Sequence, residues 1–358
     1  MKFVNEFDLW LVGPVLYLIM VGLLVFVSVD GTLFVKQAIW SSAALLLIFG
    51  LPFLNLKAIL SYRWIILVFY AVGISLLIFT YFFARPIAGT MGWIFLGPFQ
   101  IQPSEFMKTA LVLLFAKFFA AHHVSIANLR TIAVSFAYVL LPAVLVLLQP
   151  DLGTALVIFG IWFGYLLVSE LPLKHILFSL AAFIIIGFLA WNFGLASYQK
   201  ERILALFNPA SDPLGVNYNV IQSKITIGSA GFFGKGFGQG TQVQLGFLPA
   251  ATTDFVFSAF TEEWGIIGGF TIIAAILVLI RRILSLGMIS ANNFCRFICL
   301  GTVIVILLHF AINLGSVLGI LPVVGVSLPF VSYGGSNLLT MAALIGIIQS
   351  IAGKRAGF

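Results

Sequence analysis

Charged residues are scarce in this sequence. Only 8% of its 358 residues are Asp, Glu, Lys or Arg, whereas soluble domains have about 25%. The hydrophobic fraction is 62%, and phenylalanine alone contributes 37 residues. A soluble globule needs far more polar surface than this chain can supply, and a disordered chain has a much lower apolar content. The composition therefore predicts an integral membrane protein.

Cysteine is also rare, and its two copies, Cys295 and Cys299, are four residues apart. We interpret them as apolar packing residues, because they form neither a disulfide framework nor a zinc-binding pattern. The net charge is +7, but no run of sequence concentrates the basic residues, which argues against a nucleic-acid partner. A modest basic excess is typical of membrane proteins that keep Lys and Arg on the cytoplasmic side.

Apolar runs long enough to cross about 30 Å of hydrocarbon recur along the chain. Because backbone groups in lipid must be hydrogen-bonded internally, these runs predict helices. Ten are predicted, near residues 9–29, 34–53, 64–83, 104–121, 130–148, 153–169, 174–194, 262–281, 296–318 and 331–352. The predicted fold is an all-α integral membrane protein with ten transmembrane helices in one polytopic domain, residues 1–358. The first run is interpreted as a retained span, since no small-residue cleavage site follows it.

Ten spans place both termini on the same side of the membrane. If that side is the cytoplasm, the cytoplasmic segments hold 11 of the 18 basic residues, and the outer segments hold eight of the 11 acids. The positive-inside rule therefore predicts cytoplasmic termini. A long extracytoplasmic loop, residues 195–261, joins the seventh and eighth spans, and such loops are often functional. Its residues 198–207 predict an amphipathic helix on the outer surface.

Two charged residues enter the fourth predicted span. Glu105 and Lys108 are three residues apart, so they share one face of a helix that begins near Pro103. Charges inside a membrane span are costly and are usually functional. The two side chains either neutralise each other, or Lys108 lines an aqueous cavity and binds an anionic substrate. The sequence leaves both interpretations open.

Asp254 stands among apolar and aromatic residues just before the eighth span. Such surroundings raise the pKa of a carboxyl group toward the range that suits a general base. The alternative is that Thr253 or Asp254 caps the following helix. Asp151, in a turn before the sixth span, is interpreted as a helix cap.

The glycine-rich segment 228–241 contains a single lysine, Lys235. Backbone N–H groups of such a segment can cradle phosphate, with Lys235 as a cationic contact. The segment lacks the spacing of a P-loop, so a flexible loop at the membrane surface is the alternative.

Several motifs, taken in order, resemble those of the SEDS (shape, elongation, division and sporulation) family of bacterial membrane proteins. The similarity covers about residues 88–350. The motifs are QIQPSEFMK at 100–108, QPDLGT at 149–154, YNVIQSK at 218–224, TDFVF at 253–257 and LPFVSYGGS at 328–336. The chain is more similar to the RodA branch than to the FtsW branch. Residues 321–325 read LPVVG, where FtsW proteins usually have a Pro-Thr-Lys-Gly string.

The resemblance implies a ten-helix peptidoglycan glycosyltransferase that polymerises lipid II during cell elongation and shape maintenance. The enzyme would lie in the bacterial cytoplasmic (inner) membrane with its active site on the extracytoplasmic side. Its partners would be a class B penicillin-binding protein, which is a transpeptidase, and other membrane proteins of the elongation complex. The family's essential aspartate falls on Asp254, and its cavity-lining positions fall on Gln102, Ser104, Glu105 and Lys108.

The chain departs from the family pattern at three positions. Gly92 stands where members commonly have a basic residue before the tryptophan of the first loop. Ala250 and Thr252 replace the Glu and His of the usual Pro-Glu-x-His-Thr-Asp run. These departures leave a catalytically silent cell-wall scaffold as one alternative. The intramembrane charges leave a flippase or transporter of lipid-linked precursors as another.

The enzyme hypothesis gives each candidate residue a task. Asp254, as general base, takes the proton from the acceptor sugar's 4-hydroxyl, and the oxygen attacks the anomeric carbon of the donor chain. Lys108, with Lys235 or Arg202, offsets charge on the leaving pyrophosphate. A divalent cation, Mg²⁺ or Mn²⁺, could share that task; the sequence contains no metal-ligand motif that would identify its site.

Overall fold

The computed structural model describes residues 7–85, 89–97, 99–122, 128–168, 197–207 and 217–353, with short stretches between 177 and 192 and between 212 and 215. The regular secondary structure of these residues is helical apart from one small β-hairpin, and loops join the elements. The first helices are α1 (Leu9–Val29), α2 (Gly31–Gly50), α3 (Leu56–Ser61) and α4 (Arg63–Phe83), and a short 3₁₀ turn (Leu51–Phe53) extends α2.

The hairpin and the remaining helices complete the chain. Strands β1 (Ile94–Leu96) and β2 (Phe99–Ile101) pair antiparallel. The helices that follow are α5 (Pro103–His122), α6 (Leu129–Leu148), α7 (Leu152–Val168), α8 (Ser197–Phe207), α9 (Tyr218–Gly228), α10 (Thr241–Gln244), α11 (Val256–Ile289), α12 (Asn293–Val317) and α13 (Gly335–Gly353).

Seven of the described helices are long and apolar enough to cross a membrane: α1, α2 with its 3₁₀ turn, α4, α6, α11, α12 and α13. Helix α7 is apolar but has only 17 residues, and α5 carries three charged residues in its 20. The predicted span at 174–194 lies largely outside the described residues. The helical fold class is confirmed, and the total of ten spans stays a prediction.

Helix α5 lies at the centre of the bundle. Fifteen of its 20 residues are buried, and it packs against α4, α7, α12 and α13. Helix α4 is its opposite, because only 22% of its apolar stretch is buried and the rest forms an outer, lipid-type surface. The position of α5 explains how it can carry Glu105 and Lys108, since their charges face protein and not hydrocarbon.

Helix α11 differs from the predicted eighth span of 262–281. It begins at Val256 and is interrupted at Gly265, whose φ of 76° is not helical. The glycine-rich segment replaces the lost helical hydrogen bonds: Ile266 N–H donates to Gly231 O (3.0 Å), and Lys235 N–H donates to Glu262 O (2.9 Å). The segment predicted as a phosphate cradle or flexible loop is thus fastened along the beginning of this helix.

Helices α1 and α11 run antiparallel and are tied at both ends. At one end Asp8 caps α1 and accepts a hydrogen bond from Arg282 Nε at 3.0 Å. At the other end Ser28 contacts both Glu263 and Gln244. Asp8 and Arg282 therefore lie at the same end of the bundle, as the predicted orientation requires.

Two glycines of α1 offer a matched test of close packing. A side chain at Gly22 would clash with the backbone carbonyl of Val331, whereas a side chain at Gly13 would meet nothing within 4 Å. We expect Gly22→Ala to reduce the free energy of unfolding by about 1–3 kcal/mol through overpacking. Gly13→Ala should leave it unchanged or slightly higher, because alanine favours a helix.

The measurement is thermal unfolding of the purified proteins in detergent. Equal melting temperatures for the two variants would contradict the close contact between α1 and the segment that contains Val331.

Candidate active site

A cavity of about 480 Å³ opens at the end of the bundle where α5, α7 and α13 begin. Helices α2, α8 and α12 and the loops before α11 and α13 complete its wall. The Asp, Glu, Lys and Arg side chains that line it are Glu105, Asp151, Asp254, Lys36, Lys108 and Arg202. They come from five separate parts of the sequence, so the cavity is a product of the fold.

Lys108 is the deepest of these charges, with only 1% of its surface exposed. Its ammonium group donates to Glu105 Oε1 at 2.6 Å and to His309 Nε2 at 2.8 Å. The other ring nitrogen of His309, Nδ1, lies 3.0 Å from Ser327 O. Since a carbonyl can only accept, Nδ1 carries the proton and Nε2 is the acceptor for Lys108. The sequence left open a neutralising pair or a cavity-lining lysine, and the structure shows both.

The carboxylate of Glu105 is held from two sides. Its Oε1 faces Lys108, and its Oε2 accepts from Asn337 Nδ2 at 3.1 Å. The ion pair is therefore completed by hydrogen bonds from α12 and α13. A buried charge without such partners would cost several kcal/mol, so this network requires α5, α12 and α13 to meet at one place.

Gln102 links the N-terminus of α5 to two other segments. Its backbone N–H donates to Ser336 Oγ (2.9 Å), and its side-chain Nε2 donates to Asp151 Oδ2 (2.9 Å). The other carboxylate oxygen of Asp151 accepts from Thr154 N–H at 3.0 Å, which confirms that Asp151 caps α7. Burial raises the pKa of the Asp151 carboxyl group, and its hydrogen bonds with Thr154 oppose that shift.

The backbone around Asp254 is clamped by the segment that precedes α13 and by α12. Tyr333 N–H donates to Thr252 O (2.8 Å), and Ser332 Oγ donates to Thr253 O (2.7 Å). Asn313 Nδ2 of α12 donates to the carbonyl of Asp254 itself at 3.0 Å. Three successive carbonyl groups are thereby fixed, and Asp254 lines the cavity.

The carboxylate of Asp254 makes no hydrogen bond or ion pair with any residue that the structure describes. Burial raises its pKa, and the positive charge of Arg202 partly opposes that shift. The alternative prediction, a helix cap at Thr253 or Asp254, is wrong. Phe255 is the N-cap residue of α11, and no side chain caps this helix.

Helix α8, predicted from the amphipathic pattern, lies beside the mouth of the cavity. Arg202 Nη1 donates to Val323 O at 3.2 Å, and Gln199 Nε2 donates to Pro150 O at 3.2 Å. Arg202 thus lines the same cavity as Lys108 and Asp254. The predicted loop 195–261 supplies both Arg202 and Asp254, while its residues 208–211 lie outside the described part of the chain.

Two predicted binding residues lie away from the cavity wall. Lys235 Nζ lies 2.6 Å from Glu262 Oε1 and contacts the hydroxyls of Ser229 and Thr241. Ser104 is buried, and its hydroxyl makes no hydrogen bond within the part of the chain that the structure describes. The structure therefore groups Gln102, Glu105, Lys108, Arg202 and Asp254 and separates Lys235 and Ser104 from them.

The departures from the family pattern have visible places in this site. A side chain at Gly92 would meet the amide groups of Gln149 and Gln102 at ordinary contact distances of 3.6 and 3.7 Å. The residue lies beside the cavity and not in the clamp. Ala250 adopts a φ of 52°, and its carbonyl accepts hydrogen bonds from Thr253 N–H and Phe255 N–H (3.1 and 3.2 Å). This turn presents Asp254 although the motif's usual Glu and His are missing.

Sequence reasoning missed several residues of the site. Lys36 of α2 lines the cavity, is exposed and makes no hydrogen bond or ion pair within the described chain. His309 and Asn313 lie inside an apolar span, and only the cost of burying a polar group there signalled a role. Asn337 directly follows the motif at 328–336, and the sequence could not assign a role to the individual residues of that motif.

Known proteins resemble this chain in sequence and in fold. The family model FTSW_RODA_SPOVE, described as "Cell cycle protein", matches residues 6–356. A curated relative, "Peptidoglycan glycosyltransferase MrdB" of Escherichia coli (strain K12), is 38% identical over 79% of this chain and 76% of its own length.

Two solved structures are similar over almost the whole chain. One, from work on the structural coordination of polymerization and crosslinking by a peptidoglycan synthase complex, has a TM-score of 0.83 and 32% identity, covering 98% of this chain and 99% of the other. The crystal structure of the rod shape determining protein RodA of Thermus thermophilus has a TM-score of 0.74 and 28% identity, with 98% of each chain covered.

The two nitrogens of His309 make different contacts, which allows a test by substitution. In His309→Gln the amide can occupy the position of Nε2 and accept from Lys108, whereas in His309→Asn the shorter amide reaches only the position of Nδ1. We expect His309→Asn to lower the free energy of unfolding by about 1–3 kcal/mol, because a buried ammonium proton loses its partner. His309→Gln should lower the free energy of unfolding by less, because its amide can still accept from Lys108.

Thermal unfolding in detergent measures the difference between the two variants. A His309→Gln protein that is as unstable as His309→Asn would show that the contact with Lys108 does not matter for folding.

Proposed function

The chain belongs to the FtsW/RodA/SpoVE family, and from this premise we propose that it is a RodA-type peptidoglycan glycosyltransferase that polymerises lipid II. The observation that carries the proposal is a carboxylate without hydrogen bonds to the described residues, Asp254, in a cavity that also presents Lys36, Lys108 and Arg202. Transfer of a sugar from a lipid pyrophosphate needs a base for the attacking hydroxyl and positive charge for the leaving group. The cavity contains both.

The reaction follows from the placement of these groups. Asp254 takes the proton of the acceptor's 4-hydroxyl, and the oxygen forms a bond to the anomeric carbon of the donor. The bond from that carbon to the pyrophosphate breaks with inversion, and polyprenyl pyrophosphate leaves with the electron pair. No acid is required to protonate it, because pyrophosphate is already a good leaving group.

The cations of the cavity have distinct tasks in this proposal. The ammonium group of Lys108 is fixed by Glu105 and His309, so it needs no reorganisation when charge develops on the leaving group. Lys36 and Arg202 lie at the cavity wall, where they can meet the phosphates as the substrate enters. Lys235, which pairs with Glu262, has a structural task, because it fastens the glycine-rich segment to α11.

A second, apolar cavity of about 450 Å³ suits the lipid tail of a substrate. Its wall comes from α2, α3, α4, α5 and α13, and nearly all of its surface is hydrocarbon. Gln102, Glu105 and Ser336 line both this cavity and the polar one. A lipid-linked saccharide could therefore place its tail in one and its pyrophosphate in the other, which supports a lipid-linked substrate over a soluble sugar nucleotide.

A divalent cation fits this site only with help from the substrate. The described residues contain no group of three or more His, Cys, Asp or Glu that could hold a metal ion. Magnesium is commonly bound by one or two carboxylates together with substrate phosphates, and Asp151 or Asp254 could supply such a ligand. The cation would add charge neutralisation at the pyrophosphate.

The protein is a multi-pass membrane protein, and we propose ten spans in one polytopic domain with cytoplasmic termini. The proposed spans are the seven apolar helices, the buried α5, the short α7 and the run at 174–194. The excess of Lys and Arg on one side supports this orientation. The cavity then faces the outside of the bacterial inner membrane, where a class B penicillin-binding protein and other elongation-complex proteins would be the partners.

Replacement of Asp254 tests the proposed base. Purified Asp254→Asn protein, combined with its transpeptidase partner and given labelled lipid II, should form glycan polymer at least about a hundredfold more slowly than the natural sequence. The matched control is Asp30→Asn at the N-cap of α2, outside the cavity. Asparagine caps helices as well as aspartate does, so this control should keep its activity.

Polymer is measured by gel separation of the labelled products. Normal polymer from Asp254→Asn would refute the role of this residue. If the natural sequence with its partner forms no polymer but moves lipid II across vesicle membranes, a transporter is supported. If it shows neither polymerisation nor transport, a scaffold is supported.

The pKa of Asp254 predicts a pH dependence. The base acts only when it is deprotonated, so the rate falls as the pH drops through its pKa. Because burial raises that pKa, the midpoint of the acidic limb should lie above the ordinary aspartate value of about 3.9. Arg202→Gln should move the midpoint still higher, since the charge that lowers this pKa is lost.

The pH profile of kcat/KM for polymerisation gives both midpoints. Arg202→Lys is the control, because it retains the charge and should keep the midpoint near that of the natural sequence. A downward shift in Arg202→Gln would contradict the assignment of the acidic limb to Asp254.

A further inference from the structure

A third cavity, of about 430 Å³, lies at the C-terminal end of α4 and has no part in the mechanism above. Its lining residues come from the last turns of α4, the two residues that follow it, strand β1 and the residue before that strand: Phe79, Thr80, Phe83, Ala84, Arg85, Trp93, Ile94 and Phe95. Its volume is within the range of about 300–1,000 Å³ that is typical of small-ligand sites.

The chemistry of this cavity suits an anionic saccharide. Arg85 is exposed at its edge and makes no hydrogen bond or ion pair with the residues that the structure describes. Guanidinium groups bind phosphate in a bidentate manner. Thr80 O accepts from Ala84 N–H, and the carbonyl groups that follow it at a helix end are acceptors without intrahelical partners, which suit sugar hydroxyls. The rings of Phe79 and Phe83 stack at 5.0 Å and offer an apolar wall.

This cavity and the catalytic cavity are neighbours. Trp93 lines both of them, so this residue forms part of a shared wall. Behind it, Thr80 Oγ1 accepts from Gln149 Nε2 at 3.0 Å, and Met91 N–H donates to Gln149 O at 3.2 Å. The end of α4 and the segment that carries Met91 and Trp93 are thereby fixed to the turn that carries Asp151.

A polymerase of lipid-linked sugars must hold two such molecules at once, each with its own pyrophosphate. The catalytic cavity has cations for the leaving pyrophosphate of the donor. The acceptor's pyrophosphate must lie elsewhere, at a distance set by the sugars that separate it from the reacting hydroxyl. The cavity at Arg85 is adjacent, is cationic and lies at the end of a helix with an outer, lipid-type surface.

We propose that this cavity binds the pyrophosphate and first sugar of the acceptor, a lipid-linked saccharide, with Arg85 as the phosphate ligand and Trp93 between the two substrates. The proposal rests on the proposed glycosyltransferase function. It assigns Arg85 to acceptor binding and leaves the chemical step to the catalytic cavity.

The test is the initial rate of polymerisation as a function of lipid II concentration, with the full chain and its partner. Arg85→Gln should raise KM for lipid II about tenfold, because the substrate loses one charge-assisted hydrogen bond. Its kcat should stay within about twofold, because the reacting groups are untouched. Arg85→Lys, which keeps the charge but loses the planar fork, should give an intermediate KM.

Arg63→Gln is the matched control, since Arg63 is an exposed arginine at the opposite end of the same helix. Its KM should equal that of the natural sequence. An equal rise in KM for both variants, or a fall in kcat with unchanged KM for Arg85→Gln, would overturn the proposal.

A membrane phospholipid offers the same phosphate chemistry, and the assay conditions separate the two sources. In a neutral detergent without phospholipid, the KM defect of Arg85→Gln should persist. A defect that appears only when phosphatidylglycerol is added, and not with phosphatidylcholine, would mean that the cavity holds an anionic phospholipid and would overturn the proposal. If the natural sequence forms no polymer, the proposed function fails; polymer formation with equal KM values refutes only the acceptor site.

Discussion

The buried ammonium group of Lys108 sets the main constraint on this structure. An isolated charge in the interior of a helical bundle would be prohibitively costly, so its partners must be in place when the bundle forms. Glu105 supplies the counter-charge from the same helix, His309 accepts from α12, and Asn337 of α13 completes Glu105. Helix α5 is therefore required to meet α12 and α13, which are distant from it in sequence, at the floor of the cavity. The rest of the site surrounds that meeting point.

The same site keeps one carboxylate without partners among the described residues. The protein fixes the backbone of residues 252–254 with Asn313, Ser332 and Tyr333, while the side chain of Asp254 stays without a hydrogen bond to any of them. Rigid placement and an unsatisfied acceptor are what a general base needs, because the proton it takes must find an empty lone pair in the right position. Lys108 shows the reverse arrangement: Glu105 and His309 hold its ammonium group in place, and in the proposed reaction it stabilises the charge of the leaving group.

Much of this fold could be predicted from the residues alone. The apolar runs predicted each of the seven helices in the described part of the chain that are apolar enough to span a membrane, and the alternation at 198–207 predicted α8. Sequence reasoning failed where partners came from elsewhere in the chain. The sequence is compatible with Asp254 as a base or as a cap, because a cap is recognised by its hydrogen bond and not by its residue type. The sequence predicted a phosphate contact for Lys235 because it gave no sign of the lysine's actual partner, Glu262, which is 27 residues away in sequence. The place of Lys36 in the cavity wall could not be predicted, since no sequence pattern in α2 distinguishes a lysine that lines a cavity from one on the surface.

The sequence by itself determined the membrane class, the position of most helices and the family, because hydrophobic period and motif order are local properties of the chain. It also limited the active site to a few positions, since so few charges are available. Only the tertiary structure decided which of those charges meet. In that structure Gln102, Glu105, Lys108, Arg202 and Asp254 lie around one cavity. Lys235 lies outside the cavity, whereas Lys36 and His309, which were not predicted, line it. Pairing, burial and the direction of a side chain depend on contacts between distant segments, and such contacts exist only in the folded chain.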